Sequence, residues 1–207
     1  LDEYRNAPAL YLKVVNLLLY NHHLTHRHRL GLRVAALDST AMSMDIRGDF
    51  TGKSIESLLH WQGRLYFELK QIDLAVWHRW IPFPDEIDIQ QGKGALRGWL
   101  TLAEGAIDNW IIDTALHQIQ ANLSSNLPKL ELDFLQGRIG SKQFNQSGNH
   151  VQEWTTHRLN FKLAHQQTVT NPINALWRKY QDLESSEESN YLQIDEIDIG
   201  AWANLLG

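Results

Sequence analysis

The chain has no cysteine, which excludes disulfides, thiolate metal sites and cysteine nucleophiles. It has no excess of positive charge: 19 Lys and Arg stand against 24 Asp and Glu, a net charge of −5. A mildly acidic, well-mixed chain gives no electrostatic reason to expect nucleic acid or an anionic membrane as partner. No apolar run approaches the ~20 residues of a membrane-spanning helix. The longest, Val14 to Tyr20, is broken by Asn16. The G-x-S-x-G elbow, the dinucleotide fingerprint and the P-loop are all missing. There is no signal-peptide pattern and no Met at Leu1, so the chain is expected to be a piece of something longer, with targeting segments elsewhere. Its 207 residues allow one large or two small domains.

Period-2 alternation is abundant, the mark of a strand with one oily and one polar face. Leu30, Leu32 and Val34 share a face, as do Met42, Met44 and Ile46. Leu65, Phe67 and Leu69 follow, then Leu96 and Leu100, then Leu159, Phe161 and Leu163. Ile107 to Leu123 carries Trp110, Ile112, Thr114 and Leu116 on one parity. A parity slip at Leu135 predicts a bulge or a bend into a separate strand, Gly137 to Phe144. Roughly ten strands at short spacing predict a mostly β, antiparallel meander. Ser54 to Leu59 is expected to form one or two helical turns. Pro82, Pro84 and Gln91-Gly92-Lys93-Gly94 predict a loop, dividing the chain into modules 1–93 and 94–207. Asp182 to Asn190 is expected to be an acidic, serine-rich, mobile loop. At 172–181 local rules favour a helix, with Asn171 as cap and Pro172 at its first position.

One stretch occurs twice: Gln71-Ile72-Asp73-Leu74-Ala75-Val76-Trp77 returns as Glu196-Ile197-Asp198-Ile199-Gly200-Ala201-Trp202. With Asp73 or Asp198 as N-cap, Ile72 and Trp77, or Ile197 and Trp202, take the places of a hydrophobic staple. Each copy predicts a strand closed by a short pinned helix. Asp73, Trp77, Asp198 and Trp202 are thus structural, and no catalytic residue is expected.

Other constellations carry less. His22, His23, His26 and His28 have metal-ligand chemistry, but Arg27 and Arg29 interleave them and no carboxylate or thiol is near, which reads as a solvated hairpin tip. Asp85, Glu86 and Asp88 could supply paired carboxylates for glycoside hydrolysis, yet acidic loops are usually only soluble. Eight Trp allow a carbohydrate-binding β-sandwich with exposed rings, or a structural role. Alternation alone does not separate a closed core from an open, curved sheet whose apolar lining is a ligand surface.

Several motifs, in order, resemble the YhdP-type branch of the AsmA-like proteins. They are Asn16-Leu17-Leu18-Leu19, Arg27-His28-Arg29-Leu30, Asp45-Ile46-Arg47-Gly48-Asp49 and Trp61-Gln62-Gly63-Arg64-Leu65-Tyr66. Asp73-Leu74 with Trp77, Gly94-Ala95-Leu96-Arg97-Gly98-Trp99-Leu100 and Leu132-Asp133-Phe134-Leu135-Gln136-Gly137-Arg138 complete the set. The resemblance implies a very large protein anchored in the inner membrane of a Gram-negative bacterium and extending through the periplasm. It implies an open, U-shaped apolar β-groove with short helices capping strand ends, which moves phospholipid toward the outer membrane and supports its barrier. It also implies that 172–181 is a strand, against the local signal. Neither enzyme activity nor a cofactor or metal is expected. The partners it implies are phospholipid acyl chains and neighbouring modules of the same chain, with membrane contact only through parts of the protein outside this chain. The lining would be Leu30, Leu32, Val34, Met42, Met44, Ile46, Leu65, Phe67, Leu69, Leu96, Leu100, Leu159, Phe161 and Leu163. Against this stand a closed carbohydrate-binding sandwich and a periplasmic scaffold or assembly module.

Overall fold

A computed structural model describes residues 12–22, 26–36, 43–52, 60–77, 88–104, 106–124, 126–165 and 169–195. These form ten strands and one short helix. The strands are β1 (Leu12–His22), β2 (Arg27–Ala36), β3 (Ser43–Thr51), β4 (Gln62–Asp73), β5 (Asp88–Ala103) and β6 (Ala106–Asn122), then β7 (Leu130–Gln146), β8 (Asn149–Leu163), β9 (Ile173–Asp182) and β10 (Glu188–Ile194). All lie in one sheet in chain order, each antiparallel to its neighbours. β1 pairs only with β2 and β10 only with β9, so the sheet is an open meander and not a barrel. Among the described residues no second sheet packs against it, so it is not a sandwich either.

Three of the bulges that bend the sheet carry a residue in the left-handed region. Gln71 in β4, Gln118 in β6 and Arg158 in β8 all have φ between 49° and 59°. The pairing slips at Leu69/Ile72, at Gln91/Lys93 opposite Gln118, and at Thr156/Leu159. Bulges of this kind bend a strand and raise its twist. They recur on alternate strands, and glycines allow close backbone approach beside them, Gly137 directly against the one at Arg158. A Cβ on Gly94 would lie 2.1 Å from the Ala115 carbonyl oxygen, and one on Gly137 would lie 2.6 Å from Leu159 Cα. The core follows the bend: Val34, Met44, Leu69, Ile72, Leu116, Ile119, Leu132, Phe161 and Ile173 form one buried cluster spanning β2 to β9.

Helix α1 (Leu74–Trp77) begins where β4 ends. Asp73 caps it as expected, its Oδ1 accepting the Ala75 N–H at 3.1 Å, which satisfies one otherwise unpaired donor of the first turn. Ile72 before the cap is 1% exposed. The second copy of the stretch, with Asp198 and Trp202, lies outside the described residues. So do Ser54 to Leu59, His23, Met42, Asp85 and Glu86.

Three local expectations need correction. Gln91 to Gly94 is not a loop but part of β5, where Gly92 and Gly94 have φ of +155° and +148°. Gly92 gives room to the Leu74 side chain and Gly94 to the β6 backbone, and the division at 93/94 falls inside β5, which pairs with β4 and β6 on both sides of it. Gly137 to Phe144 is no separate strand, because β7 runs unbroken through a bulge between Leu132 and Phe134. The acidic loop shrinks to residues 183–187, where Asp182 Oδ1 accepts the N–H groups of Glu184 and Ser185 at 2.9 and 2.7 Å. Residues 173–182 form β9, as the resemblance implied. Pairing with β8 and with β10 outweighs the local helical signal, as tertiary context commonly does.

Candidate functional site

Alternation along each strand and continuous pairing between strands, shifted only locally, place the apolar side chains in rows. One row crosses all ten strands: Leu17, Leu32, Ile46, Phe67, Gly98, Ile112, Ile139, Thr156, Ala175 and Ile194. The row beside it runs Leu19, Leu30, Gly48, Leu65, Leu100, Trp110, Ser141, Trp154, Trp177 and Leu192 through the same pairings. Nine inter-strand spacings of about 4.8 Å make each row about 43 Å long.

The expected lining residues described here all lie on this face. Val34, Met44, Leu69 and Phe161 are buried at the bend, while Leu30, Leu32, Ile46, Leu65, Phe67, Leu96, Leu100, Leu159 and Leu163 are half-buried. Exposure rises toward both free edges. Leu17 and Leu19 are 59% and 71% exposed on β1, and Leu192 is 62% exposed on β10. A single-layer sheet with an apolar face of this extent leaves far more hydrophobic surface open than scattered surface leucines would.

Sequence reasoning missed several residues of these rows, among them Leu17, Leu19, Ile139, Ala175 and Ile194. Leu17 and Leu19 sit in an apolar run with no visible alternation, and only the pairing of β1 with β2 assigns their face. The tryptophans divide. Trp110, Trp154 and Trp177 line the second row, with ring centres 5.5 and 6.4 Å apart. Trp99 lies on the opposite, polar face beneath the Arg97 and Arg138 guanidinium groups. The two exposed tryptophans of the described residues, Trp99 and Trp177, therefore share no platform.

The polar face is held by a repeated arrangement of one carboxylate between two cations. Asp49 meets Arg27 and Arg29, Asp45 meets Arg33 and Arg47, Asp113 meets Arg97 and Arg138, and Glu153 meets Lys142 and Arg178. Hydrogen bonds from Arg138, then Arg97, hold the Asp113 carboxyl below the usual range against its partial burial. For Glu153 burial pushes the carboxyl up, and the hydrogen bonds from Lys142 and Arg178 more than offset it.

The described histidines of the His22–His28 cluster do not assemble. His28 is buried, stacks on Trp61 at 4.4 Å and bonds through Nε2 to the Gly52 carbonyl at 2.9 Å. His22 pairs with Arg27 in the register that directs it to the opposite face. Among the described residues no group of three His, Asp or Glu is placed to hold a metal ion, and no helix is long and apolar enough to cross a membrane.

Ten meandering strands, two free edges and one unbroken apolar face define an open, groove-type β protein. The chain belongs to the YhdP protein family, whose model matches residues 3–207. No curated protein and no solved structure matches it.

Proposed function

We propose that this chain is a segment of a lipid transfer protein whose apolar face carries phospholipid acyl chains between the inner and outer membranes. The reading is supported above all by the apolar row that crosses all ten strands without a charged residue. Each CH₂ shielded on such a surface gains roughly 0.8 kcal/mol, so a tail is held without a specific polar contact. Even spacing of the rows favours sliding over trapping. The role requires no catalytic residue, metal or cofactor; the protein is read as a carrier and not an enzyme. YhdP membership supports a bacterial, membrane-associated setting. On this reading the segment lies in the periplasm, next to other modules of a longer chain anchored in the inner membrane.

A photoreactive amino acid at Phe67, with one at Tyr66 on the polar face as control, tests this in cells. Phospholipid adducts are expected at Phe67 and not at Tyr66. Equal labelling at both, or protein adducts alone at Phe67, would remove the lipid reading and favour a scaffold role. Phe67→Asp is expected to fold and to fail in maintaining the outer-membrane barrier.

A further inference from the structure

A cavity of about 710 Å³ lies on the polar face, and most of the side chains around it are polar. Four cations line it, Lys70, Arg97, Arg138 and Arg158, against two carboxylates, Glu68 and Asp113. That leaves an excess of two positive charges, in a chain whose net charge is −5. Lys70 is paired with Glu68, and Arg97 and Arg138 share Asp113. Arg158 is the one of these four cations with no ion pair among the described residues.

The unpaired donors gather on one hairpin. Gln136 faces Asn160 and Arg138 faces His157 across β7 and β8, with Arg158 bulged out between His157 and Leu159. All five side chains line the cavity. Those of Gln136, His157, Arg158 and Asn160 have no hydrogen-bond partner among the described residues, and Asn160 Oδ1 is buried without a donor. Gly137 permits this crowding, because any side chain there would run into the β8 backbone.

We infer that this cavity binds a phosphate-bearing ligand. Guanidinium forks suit phosphate oxygens, and two carboxamides and an imidazole add further donors to the same wall. A phosphate monoester carries about −1.5 to −2 charges at neutral pH, which balances the excess. A free phosphate ester and a lipid headgroup share this chemistry. The inference does not rest on lipid transfer, since the cavity lies on the face opposite the apolar rows.

The test titrates the whole chain with glycerol 3-phosphate in 150 mM salt by calorimetry, with glycerol as the neutral control. A parallel arm floats it with phosphatidylcholine vesicles with and without phosphatidic acid. Saturable binding is expected in at least one arm, weakened at least tenfold in Arg158→Asn and in Arg158→Gly. Both replacements accept the left-handed backbone, so the melting temperature should hold. Binding of the free ester identifies a soluble ligand, and binding only to phosphatidic acid vesicles identifies a headgroup. Absence of saturable binding in both arms, or binding that both variants retain, overturns the inference.

Discussion

Arg178 Nε donates to Glu153 Oε2 at 2.6 Å, across β8 and β9, while Lys142 reaches the other carboxylate oxygen from β7 at 3.0 Å. Glu153 is only 5% exposed, so three strands converge on a carboxylate that has little water of its own. Removing one partner of a buried pair leaves uncompensated charge. Glu153→Ala should therefore destabilise the sheet by about 2–4 kcal/mol, reduced from the full burial penalty because both cations can turn to solvent. Urea unfolding measures it, and a loss under 1 kcal/mol would mean that the cluster is ordinary surface pairing.

The same carboxylates set a direction for pH. Asp113 and Glu153 titrate below their usual range when folded. Their contribution is complete above the unfolded carboxylate value of about 4 and is lost as pH falls through the lower folded values. The urea midpoint should thus respond little to these groups between pH 7 and 5 and fall below about pH 4. Asp113→Asn should flatten part of that fall; an equally steep decline in the variant would remove Asp113 as its source.

Two glycines should behave oppositely on substitution by alanine. At Gly94 a Cβ would meet backbone at 2.1 Å, whereas at Gly31 the nearest atom is a Leu18 side-chain carbon at 3.4 Å. Gly94→Ala is expected to cost about 2–3 kcal/mol and Gly31→Ala less than about 0.5 kcal/mol. Thermal unfolding of the two proteins side by side checks the ranking.

Gln118 holds φ at 54°, a conformation that costs a side-chain-bearing residue about 1–2 kcal/mol and glycine nearly nothing. Gln118→Gly should be neutral or stabilising by up to about 1 kcal/mol, despite glycine's greater loss of freedom on folding. Gln118→Val should be destabilising. A stabilising valine would show that β6 does not need its bulge there.

Much of this architecture is legible in alternation, because a period of two states which side chains share a face. Leu30 to Val34, Leu65 to Leu69 and Leu159 to Leu163 fall where that rule puts them. The Asp73 cap was equally legible, since its effect is local. The parity slip near Leu135 also marked the bulge in β7, but three others were not legible: Gln71, Gln118 and Arg158 carry no turn chemistry, and their conformations come from pairing with strands far along the chain. For the same reason Gly92 and Gly94 read as punctuation when they are clearance. The polar-face cavity has no signature in the sequence, because Gln136, Arg138, His157, Arg158 and Asn160 come together only when β7 pairs with β8.

The length of the apolar rows has a consequence for traffic. At about 43 Å they exceed the ~15 Å depth of one leaflet of a bilayer's hydrocarbon core nearly threefold. On the transfer reading, several amphiphiles would stand in file along this one segment. Arrival at one end then displaces the queue toward the other, and throughput depends on loading pressure at the mouths more than on affinity anywhere between them.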